Sequence, residues 1–356
     1  MTATVTAPQP PVDLQTHLRR MMQWHFDPAT GTAFWLDRVT DLGFDPLTDV
    51  RELADLRRFP DLSEELRTVD VSRLIPRGKA DRPFAVYESG GTLGRPKRII
   101  EHSSRLANVQ WVSEVLRGHG FPDEGNWLHI GPTGPHIVGR SVRLLAEHRS
   151  SLCFTIDLDP RWVKRLIATE RPDLAAEYVE HVLDQVEQIV ADQDVAVLFV
   201  TPPVLEALVA RPALYERLAG TVRALIWSGT SISVTSLKLI EEEFFPDAAV
   251  VGLYGNSLMG IAPQRTRRPG DEHRCVFRPY WPNGQVEVLD PETGLEVAYG
   301  ERGRVLVHLL SEDMFLPNVA ERDTAVRLRP EDADGVELAD VQPYRGDART
   351  VIEGVY

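Results

Sequence analysis

The feature that most constrains this chain is a series of short apolar segments that alternate with helix-like segments between residues 126 and 255. The strand-like segments are NWLHIG (126–131), LCFTIDL (152–158), VAVLFVT (195–201), RALIWSG (223–229) and AAVVGLYG (248–255). Helical periodicity marks the segments LAAEYVEHVLDQVEQIVADQ (174–193), PVLEALVARPALYERLAG (203–220) and SVTSLKLIEEEFF (233–245). Apolar strands that alternate with helices are typical of a largely parallel sheet buried on both faces. The pattern therefore predicts an α/β fold.

Different patterns flank this core. Apolar residues recur at helical spacing in DLQTHLRRMMQWHFD (13–27) and LTDVRELADLRRFP (47–60), and SSRLANVQWVSEVLRGHG (103–120) combines such spacing with an N-terminal serine cap. QVEVLDPETGLEVAYGERGRVLVHLL (285–310) is typical of a β-meander with Pro and Gly turns. We therefore expect a helical and connective part over 1–82, an α/β core over 83–265 and a β-rich subdomain over 266–356.

Composition excludes several classes of protein. The 356 residues carry a formal net charge of −14, which disfavours a nucleic-acid-binding protein. Cys153 and Cys275 are the only cysteines and do not form a metal-type spacing or a disulfide framework. The N-terminus MTATVTAPQPPVD lacks the features of a signal peptide, and no apolar run in the sequence is long enough to cross a bilayer. These features predict a cytoplasmic protein without nucleic-acid or membrane partners.

A glycine-rich stretch, YESGGTLGRPKRI (87–99), lies between the two apolar runs FAVYES and KRIIEHS. Successive backbone N–H groups in such a turn form an anion-binding concavity, to which hydroxyls and a lysine add donors. The stretch does not match the Walker A or the dinucleotide-binding pattern. From these residues alone, a simple hairpin turn and a phosphate-binding loop both remain open. The candidate donors are Ser89, Gly90, Gly91, Thr92, Gly94 and Lys97.

Five motifs in a fixed order resemble the adenylate-forming superfamily, which includes acyl-CoA synthetases, luciferase and peptide-synthetase adenylation domains. SGGTLGRPK is similar to the family's phosphate loop, [ST]-[SG]-G-[ST]-[ST]-G-x-P-K. The motifs downstream are IWSGTSI (226–232) for the adenine loop, YGNSLMG (254–260) for Y-G-x-T-E, DPETGLEVAYGERGRVLVHLL (290–310) for a Gly-rich hairpin and LPNVAERD (316–323) for the R-Y-R-T-x-D segment. The opening FWLDRVTDLGFDPLTDVRELADLRRFP (34–60) resembles the phenylacetate-CoA ligase branch, and the overall layout resembles a single-domain adenylating protein of phenazine antibiotic biosynthesis.

This resemblance implies a fold: the large N-terminal domain of the superfamily, with largely parallel sheets flanked by helices, plus a small β-rich subdomain. YRGDARTVIEGVY (344–356) resembles the hinge that precedes the family's mobile C-terminal domain. We therefore expect that domain to be absent, and with it efficient thioester formation.

The resemblance also implies an activity, the ATP-dependent conversion of a carboxylic acid to acyl-AMP and pyrophosphate with Mg²⁺. Thr92, Lys97 and Ser257 would be catalytic. The implied nucleotide-binding residues are Ser89, Gly90, Gly91, Thr92, Gly94, Lys97, Gly229, Thr230, Tyr254, Gly255, Asn256, Ser257, Asp323 and Arg345.

Three positions depart from the family's motifs. Leu93 replaces a hydroxyl residue, Ala320 replaces an arginine, and Leu258 replaces the glutamate that helps to hold Mg²⁺. A hydrocarbon side chain cannot coordinate a hard cation, which prefers oxygen ligands. Mg²⁺ is then held only by the ATP phosphates and water, or by another carboxylate that the sequence does not identify. We assign no protein metal ligand and expect slow adenylation.

The acid is expected at GPTGPHIVG (131–139), because open α/β sheets bind ligands at the carboxyl ends of their strands. The candidate substrate-binding residues are Gly134, His136, Trp227, Ser228 and Gly255. The phenylacetate-type resemblance favours an aromatic acid, whose adenylate would pass to a downstream acceptor or reductase. Two other functions stay open, a degenerate domain that binds nucleotide or an aryl ligand without turnover, and a synthetase that forms an amide, an ester or a ring.

Overall fold

The computed structural model describes residues 13–91, 95–331 and 335–344. Its strands are β1 (Ala85–Glu88), β2 (Arg98–Glu101), β3 (Asn126–Gly131), β4 (Cys153–Asp157), β5 (Val195–Val200), β6 (Ala224–Ser228), β7 (Ala249–Asn256), β8 (Gly260–Pro263), β9 (Val276–Phe277), β10 (Gly284–Leu289), β11 (Arg302–Leu310), β12 (Phe315–Leu328) and β13 (Glu337–Pro343). Its α-helices are α1 (Leu14–Phe26), α2 (Ala33–Leu36), α3 (Pro46–Asp49), α4 (Ser104–Gly118), α5 (Ile137–His148), α6 (Pro160–Ala168), α7 (Pro172–Val190), α8 (Pro202–Val209), α9 (Pro212–Ala219) and α10 (Val234–Leu239). No helix in these ranges is both long and apolar enough to cross a membrane.

The central sheet has the strand order β4-β3-β5-β6-β7-β8. The first five strands are parallel, and only β8 runs antiparallel to its neighbour β7. Helices α7, α8 and α9 cover one face, where Val182, Leu205 and Leu214 pack against Leu198 and Leu225. Helices α4 and α5 cover the other face in a separate apolar cluster. The predicted α/β fold with a largely parallel, doubly covered sheet is confirmed.

The helical predictions differ from the structure in two places. The expected helix over 203–220 is divided into α8 and α9, because Pro212 has no N–H to donate within a continuous helix. The segment 47–60 forms the short α3 followed by a 3-10 helix, Leu53–Arg58, instead of one longer helix. The residue pattern also did not anticipate α5 and α6, each of which directly follows a strand of the sheet.

A second, wholly antiparallel sheet has the order β10-β11-β12-β13-β9. It contains the predicted meander and extends it by β12 and β13 toward the C-terminus. The predicted β-rich part is therefore present. Phe277 of β9 packs this sheet against the central one, since its ring contacts Trp227 of β6 and Tyr254 of β7.

The N-terminal helices pack against the turn between β11 and β12. The His25 ring bonds to the Ser311 carbonyl at 2.7 Å, and the Trp35 indole N–H donates to the Phe315 carbonyl at 3.0 Å. The His17 ring bonds to the Leu310 carbonyl at 2.8 Å. These buried polar contacts fix the N-terminal part on the β-rich sheet.

Candidate functional site

The glycine-rich stretch connects two antiparallel strands, β1 and β2. The Ser89 N–H donates to the Lys97 carbonyl at 2.9 Å, and the Lys97 N–H donates to the Ser89 hydroxyl, also at 2.9 Å. Gly91 has a φ of +64°, a backbone conformation that favours glycine. The stretch is thus a hairpin whose base is closed by two predicted site residues. Thr92 and Gly94, with Leu93, lie outside the described residues.

Lys97 and its neighbours connect this hairpin to the rest of the chain. The Lys97 ammonium lies 3.4 Å from the Ser63 hydroxyl. Its charge also attracts the buried Glu321 carboxylate on β12. The lysine side chain therefore lies between the hairpin and the β-rich sheet.

The loop 131–136 after β3 touches the glycine hairpin directly. The Glu88 N–H donates to the Pro135 carbonyl at 2.8 Å. Arg161, at the start of α6, ion-pairs with Glu88 at 2.8 Å and donates to the Ser89 carbonyl at 3.3 Å. The fold thus places the predicted phosphate loop beside the predicted acid loop.

His136 is the N-cap residue of α5 and is partly buried. Burial lowers the pKa of its imidazole below the usual value, and the positive charge of Arg161 lowers that pKa further. The loop is fixed by Thr133, whose hydroxyl donates to Asp157 at 2.6 Å. Gly134 has a φ of +56°, and no atom outside its chain neighbours would contact a side chain there.

Tyr254 and Asp323, on different sheets, meet in a hydrogen bond. The Tyr254 hydroxyl donates to an oxygen of the Asp323 carboxylate at 3.0 Å. Burial raises the pKa of Tyr254 well above its ordinary value, and the Asp323 charge raises that pKa further. Burial also raises the pKa of Asp323, while the hydrogen bond from Tyr254 opposes that rise. The two predicted nucleoside-binding residues are brought together.

Glu321 was not predicted, although it lies two residues before Asp323 on β12. The pairing of β11 with β12 is irregular between Ala320 and Thr324. Beyond the effect of burial, the two carboxylates lie close enough for the Asp323 charge to raise the pKa of Glu321. Glu321 is only 8% exposed, and burial raises the pKa of its carboxyl, while Lys97 opposes that rise. A residue pattern could not have singled it out, because its burial depends on the packing of β12 against the hairpin.

The residues of the predicted adenine loop do not share one surface of the protein. Gly229 is exposed with a φ of +91°, and the Thr230 hydroxyl is buried without a partner among the described residues. Ser228 donates from its hydroxyl to the Leu253 carbonyl at 2.8 Å. Trp227 is 6% exposed and packs edge-on against Phe277, on the sheet face opposite Ser228. The structure does not bring Trp227 to the same surface as the other acid-site candidates.

The motif YGNSLMG (254–260) contacts a buried arginine, Arg105. The Arg105 guanidinium, on the first turn of α4, lies 3.4 Å from the Ser257 carbonyl. Burial lowers the pKa of Arg105 to about 10. Leu258 is 2% exposed and packs in the apolar cluster beneath the hairpin. The Asn256 side chain and Arg345 lie outside the described residues.

Asp313, between β11 and β12, anchors the segment that follows the glycine hairpin. One carboxylate oxygen accepts the N–H groups of Ser103 and Ser104 at 2.7 Å each, and the other accepts from the Lys79 ammonium at 2.7 Å. The Ser103 hydroxyl makes no capping bond within the part of the chain that the structure describes. The predicted serine is the N-cap residue of α4, but its hydroxyl does not cap the helix, because a distant carboxylate satisfies the first N–H groups.

Comparison with known families matches residues 43–309 to the AMP-binding enzyme family. Because the match spans more than half of the chain, the protein belongs to this family, and the predicted superfamily is confirmed. The comparison with curated proteins gives no match.

Solved structures of 2-hydroxyisobutyryl-CoA ligase share the fold. The open form with 2-HIB-AMP and CoA gives a TM-score of 0.66 at 15% identity, covering 94% of this chain and 69% of that chain. The postadenylation form with R3-HIB-AMP gives a TM-score of 0.65 at 15% identity, covering 94% of this chain and 67% of that chain. ATP-bound MatB from Rhodopseudomonas palustris gives a TM-score of 0.49 at 19% identity, covering 73% of this chain and 48% of that chain. At these identities the similarity to the ligase shows the fold alone.

Proposed function

We propose that the protein activates a carboxylic acid with ATP. A carboxylate oxygen attacks the α-phosphorus, the bond from that phosphorus to the β-phosphate oxygen breaks, and pyrophosphate leaves with the bond's electron pair. The observation that carries this proposal is the hydrogen bond between Tyr254 and Asp323 at 3.0 Å, because it joins the nucleoside candidates beside the glycine hairpin. Membership of the AMP-binding enzyme family supports the same activity.

The residues then divide by the part of ATP they hold. Asp323 accepts hydrogen bonds from the ribose hydroxyls, and an ionised acceptor makes such bonds short and strong. The Tyr254 ring stacks on the adenine, with the backbone of Gly229 and Thr230 at its edge. Lys97 and the hairpin amides bind the outer phosphates, and Ser257 contacts the α-phosphate. Positioning and charge stabilisation are the main tasks of a protein in such chemistry.

Magnesium accompanies ATP in this reaction and neutralises the phosphate charge. Leu258 does not fit such an ion, because it is an alkyl side chain packed in an apolar cluster. Glu321 fits better, since it is a buried carboxylate beside Lys97 and Asp323. Within the described residues, no group of three or more His, Cys, Asp or Glu side chains is arranged as a metal site. We therefore propose one protein oxygen ligand, from Glu321, with phosphate oxygens and water as the others.

The acid is proposed to be aromatic, and its adenylate to pass to a separate acceptor or reductase in secondary metabolism. Loop 131–136 with His136 supports the position of the acid, since it touches the hairpin through the bond between Glu88 and Pro135. Turnover is proposed to be slow because the metal site has fewer protein ligands. The packing of Leu258 also favours one alternative, a domain that binds nucleotide without turnover.

The test is ATP–pyrophosphate exchange with a panel of aryl carboxylic acids. Wild type is compared with Asp323→Ala and with Asp81→Ala, a control at an exposed aspartate. Exchange that depends on an acid and is lost only in Asp323→Ala supports adenylation. ATP binding by calorimetry without exchange for any acid contradicts it and favours the binding alternative. Product analysis with hydroxylamine or CoA then identifies the acceptor chemistry.

A further inference from the structure

A row of small residues crosses the central sheet at the carboxyl ends of its strands. The pairs His129 with Phe199, Val200 with Trp227 and Ser228 with Leu253 set the register of β3, β5, β6 and β7. Because side chains alternate along a strand, one face carries the row, and it is the face covered by α4 and α5. The residues of the row are Gly131, Thr201 and Ser228, and Leu253 is the partner of Ser228 on β7.

His129 lies two residues before Gly131 on β3, on the same face of the sheet as this row. It is 0% exposed, and neither ring nitrogen has a hydrogen-bond partner among the described residues. The ring packs edge-on against Phe199 with centroids 5.0 Å apart. A side-chain carbon added to Gly131 would lie 2.8 Å from the histidine Nε2, so the ring occupies the space that a side chain at Gly131 would fill. The imidazole therefore lies against the backbone of Gly131, the first residue of the row.

Thr201 is a second unpartnered polar group on the same face. It follows β5 in extended backbone and is 2% exposed. Its hydroxyl neither caps α8 nor bonds any other atom in the described part of the chain. Buried polar side chains in folded proteins are nearly always hydrogen-bonded. Two such groups on adjacent strands, next to small residues, indicate partners outside the described part of the chain.

The chemistry of these groups defines the partner. Burial lowers the pKa of His129 to about 4, so at neutral pH the imidazole offers one donor and one acceptor and no charge. The Thr201 hydroxyl offers the same combination. Phe199, Ile226 and Leu253 surround them with apolar surface. Such a site suits an uncharged polar group and disfavours a second carboxylate or an ammonium.

We propose that His129 and Thr201 bind an uncharged hydrogen-bonding substituent, a hydroxyl or an amino group, on the ring of the acid substrate. The inference rests on the proposed function, which places the acid at loop 131–136. The carboxylate faces the nucleotide, and the ring points toward His129 and Thr201. His129 and Thr201 thereby determine specificity among aromatic acids.

The test uses benzoate and phenylacetate with their 2-, 3- and 4-hydroxy and amino derivatives. Binding is measured by calorimetry and adenylation by pyrophosphate release, each for wild type, Thr201→Val and His129→Leu. Thr201→Val keeps the side-chain shape and removes only the hydroxyl. The matched control is Ser113→Ala, which removes another buried, unpartnered hydroxyl of the described residues, on α4, where Arg149 bonds to the Ser113 carbonyl.

The proposal expects wild type to prefer one substituted acid over its parent. Thr201→Val and His129→Leu each reduce that preference about tenfold by weakening only the substituted acid, and Ser113→Ala leaves it unchanged. Equal binding of parent and substituted acids by wild type, or an unchanged preference in Thr201→Val, overturns the proposal. Should His129→Leu not fold by thermal melting, Thr201→Val decides alone.

These measurements distinguish a failure of the proposed function, adenylation, from a failure of the proposed polar subsite. Acid binding with a preference that Thr201→Val abolishes, but without pyrophosphate release for any acid, supports the polar subsite and contradicts adenylation. Adenylation with an unaltered preference contradicts the subsite alone. The absence of both binding and release for every acid contradicts both.

Discussion

The Tyr254 hydroxyl donates to the Asp323 carboxylate at 3.0 Å across 69 positions of sequence. The bond connects β7, the last parallel strand of the central sheet, to β12, the middle strand of the β-rich sheet. It holds the carboxylate in a fixed orientation, in which the proposed function has it accept hydrogen bonds from a ribose. The arrangement depends on Phe277, which packs against the Tyr254 ring at 5.9 Å.

Removal of the tyrosine hydroxyl is expected to weaken ATP binding less than removal of the aspartate charge. Tyr254→Phe keeps the ring for stacking and loses only one hydrogen bond, so we expect a loss in ATP affinity of about fivefold. Asp323→Asn loses a charged acceptor, and we expect a loss of about 30-fold or more. Calorimetric titration with ATP measures both. Equal losses in the two variants would contradict a dominant contribution of the carboxylate charge to ATP binding.

Asp313→Ala is expected to lower the free energy of unfolding by about 3 kcal/mol, because it leaves the Lys79 ammonium and two helix N–H groups without their buried partner. Urea denaturation at pH 7 measures this change. The neighbouring Glu312→Ala is the control. Its carboxylate is 30% exposed, and we expect a loss of at most about 1 kcal/mol. Similar losses in the two variants would contradict an anchoring role for Asp313.

The Asp313 contribution is also expected to depend on pH. Burial alone would raise the pKa of this carboxyl, but the bonds from Lys79 and the helix amides outweigh it and hold the pKa below the ordinary value of 3.8. A lowered pKa in the folded state stabilises the fold above the unfolded value and loses that effect as pH falls through the folded value. The stability difference between wild type and Asp313→Asn should therefore stay constant above about pH 5 and narrow below about pH 4.

His25 is expected to make the fold sensitive to mild acid. Burial lowers the pKa of its imidazole from 6.5 to about 4. The unfolded chain therefore binds a proton that the folded chain excludes, and stability falls as pH drops from about 6.5 to about 4, by up to about 1.4 kcal/mol per pH unit. His25→Gln keeps a donor near the Ser311 carbonyl and should reduce this slope by about one proton. Urea denaturation between pH 7 and pH 4.5 gives the slopes, and identical ones would contradict the assignment.

Glu321→Gln is expected to raise the Mg²⁺ concentration for half-maximal pyrophosphate exchange about tenfold, because a neutral amide is a poorer ligand for a hard cation. Electron paramagnetic resonance of Mn²⁺ with ATP and protein measures metal binding independently of turnover. Glu331→Gln, a control at an exposed glutamate, should behave as wild type. An unchanged metal dependence in Glu321→Gln would leave ATP and water as the only ligands.

The local patterns of the sequence predicted the five parallel strands of the central sheet to within a residue or two, but not the antiparallel β8. The predicted single helix over 203–220 was wrong, although the break between α8 and α9 follows from Pro212 and needs no tertiary information. The side chain that caps α4 could not be predicted from the sequence. Ser103 has the residue type of a cap, but Asp313 occupies that role from more than 200 positions away.

The sequence by itself determined the α/β class, the family and the order of the motifs, because hydrophobic periodicity and short motifs are local properties of the chain. The tertiary structure alone decided which distant polar groups meet. Tyr254 meets Asp323, Asp313 meets the start of α4, and His129 and Thr201 share one face of the sheet. Such contacts depend on strand order and register, which bring together residues whose spacing in the sequence carries no signal. The unpartnered His129 and Thr201 became visible only there, since a residue type alone does not reveal whether burial leaves a polar group unbonded.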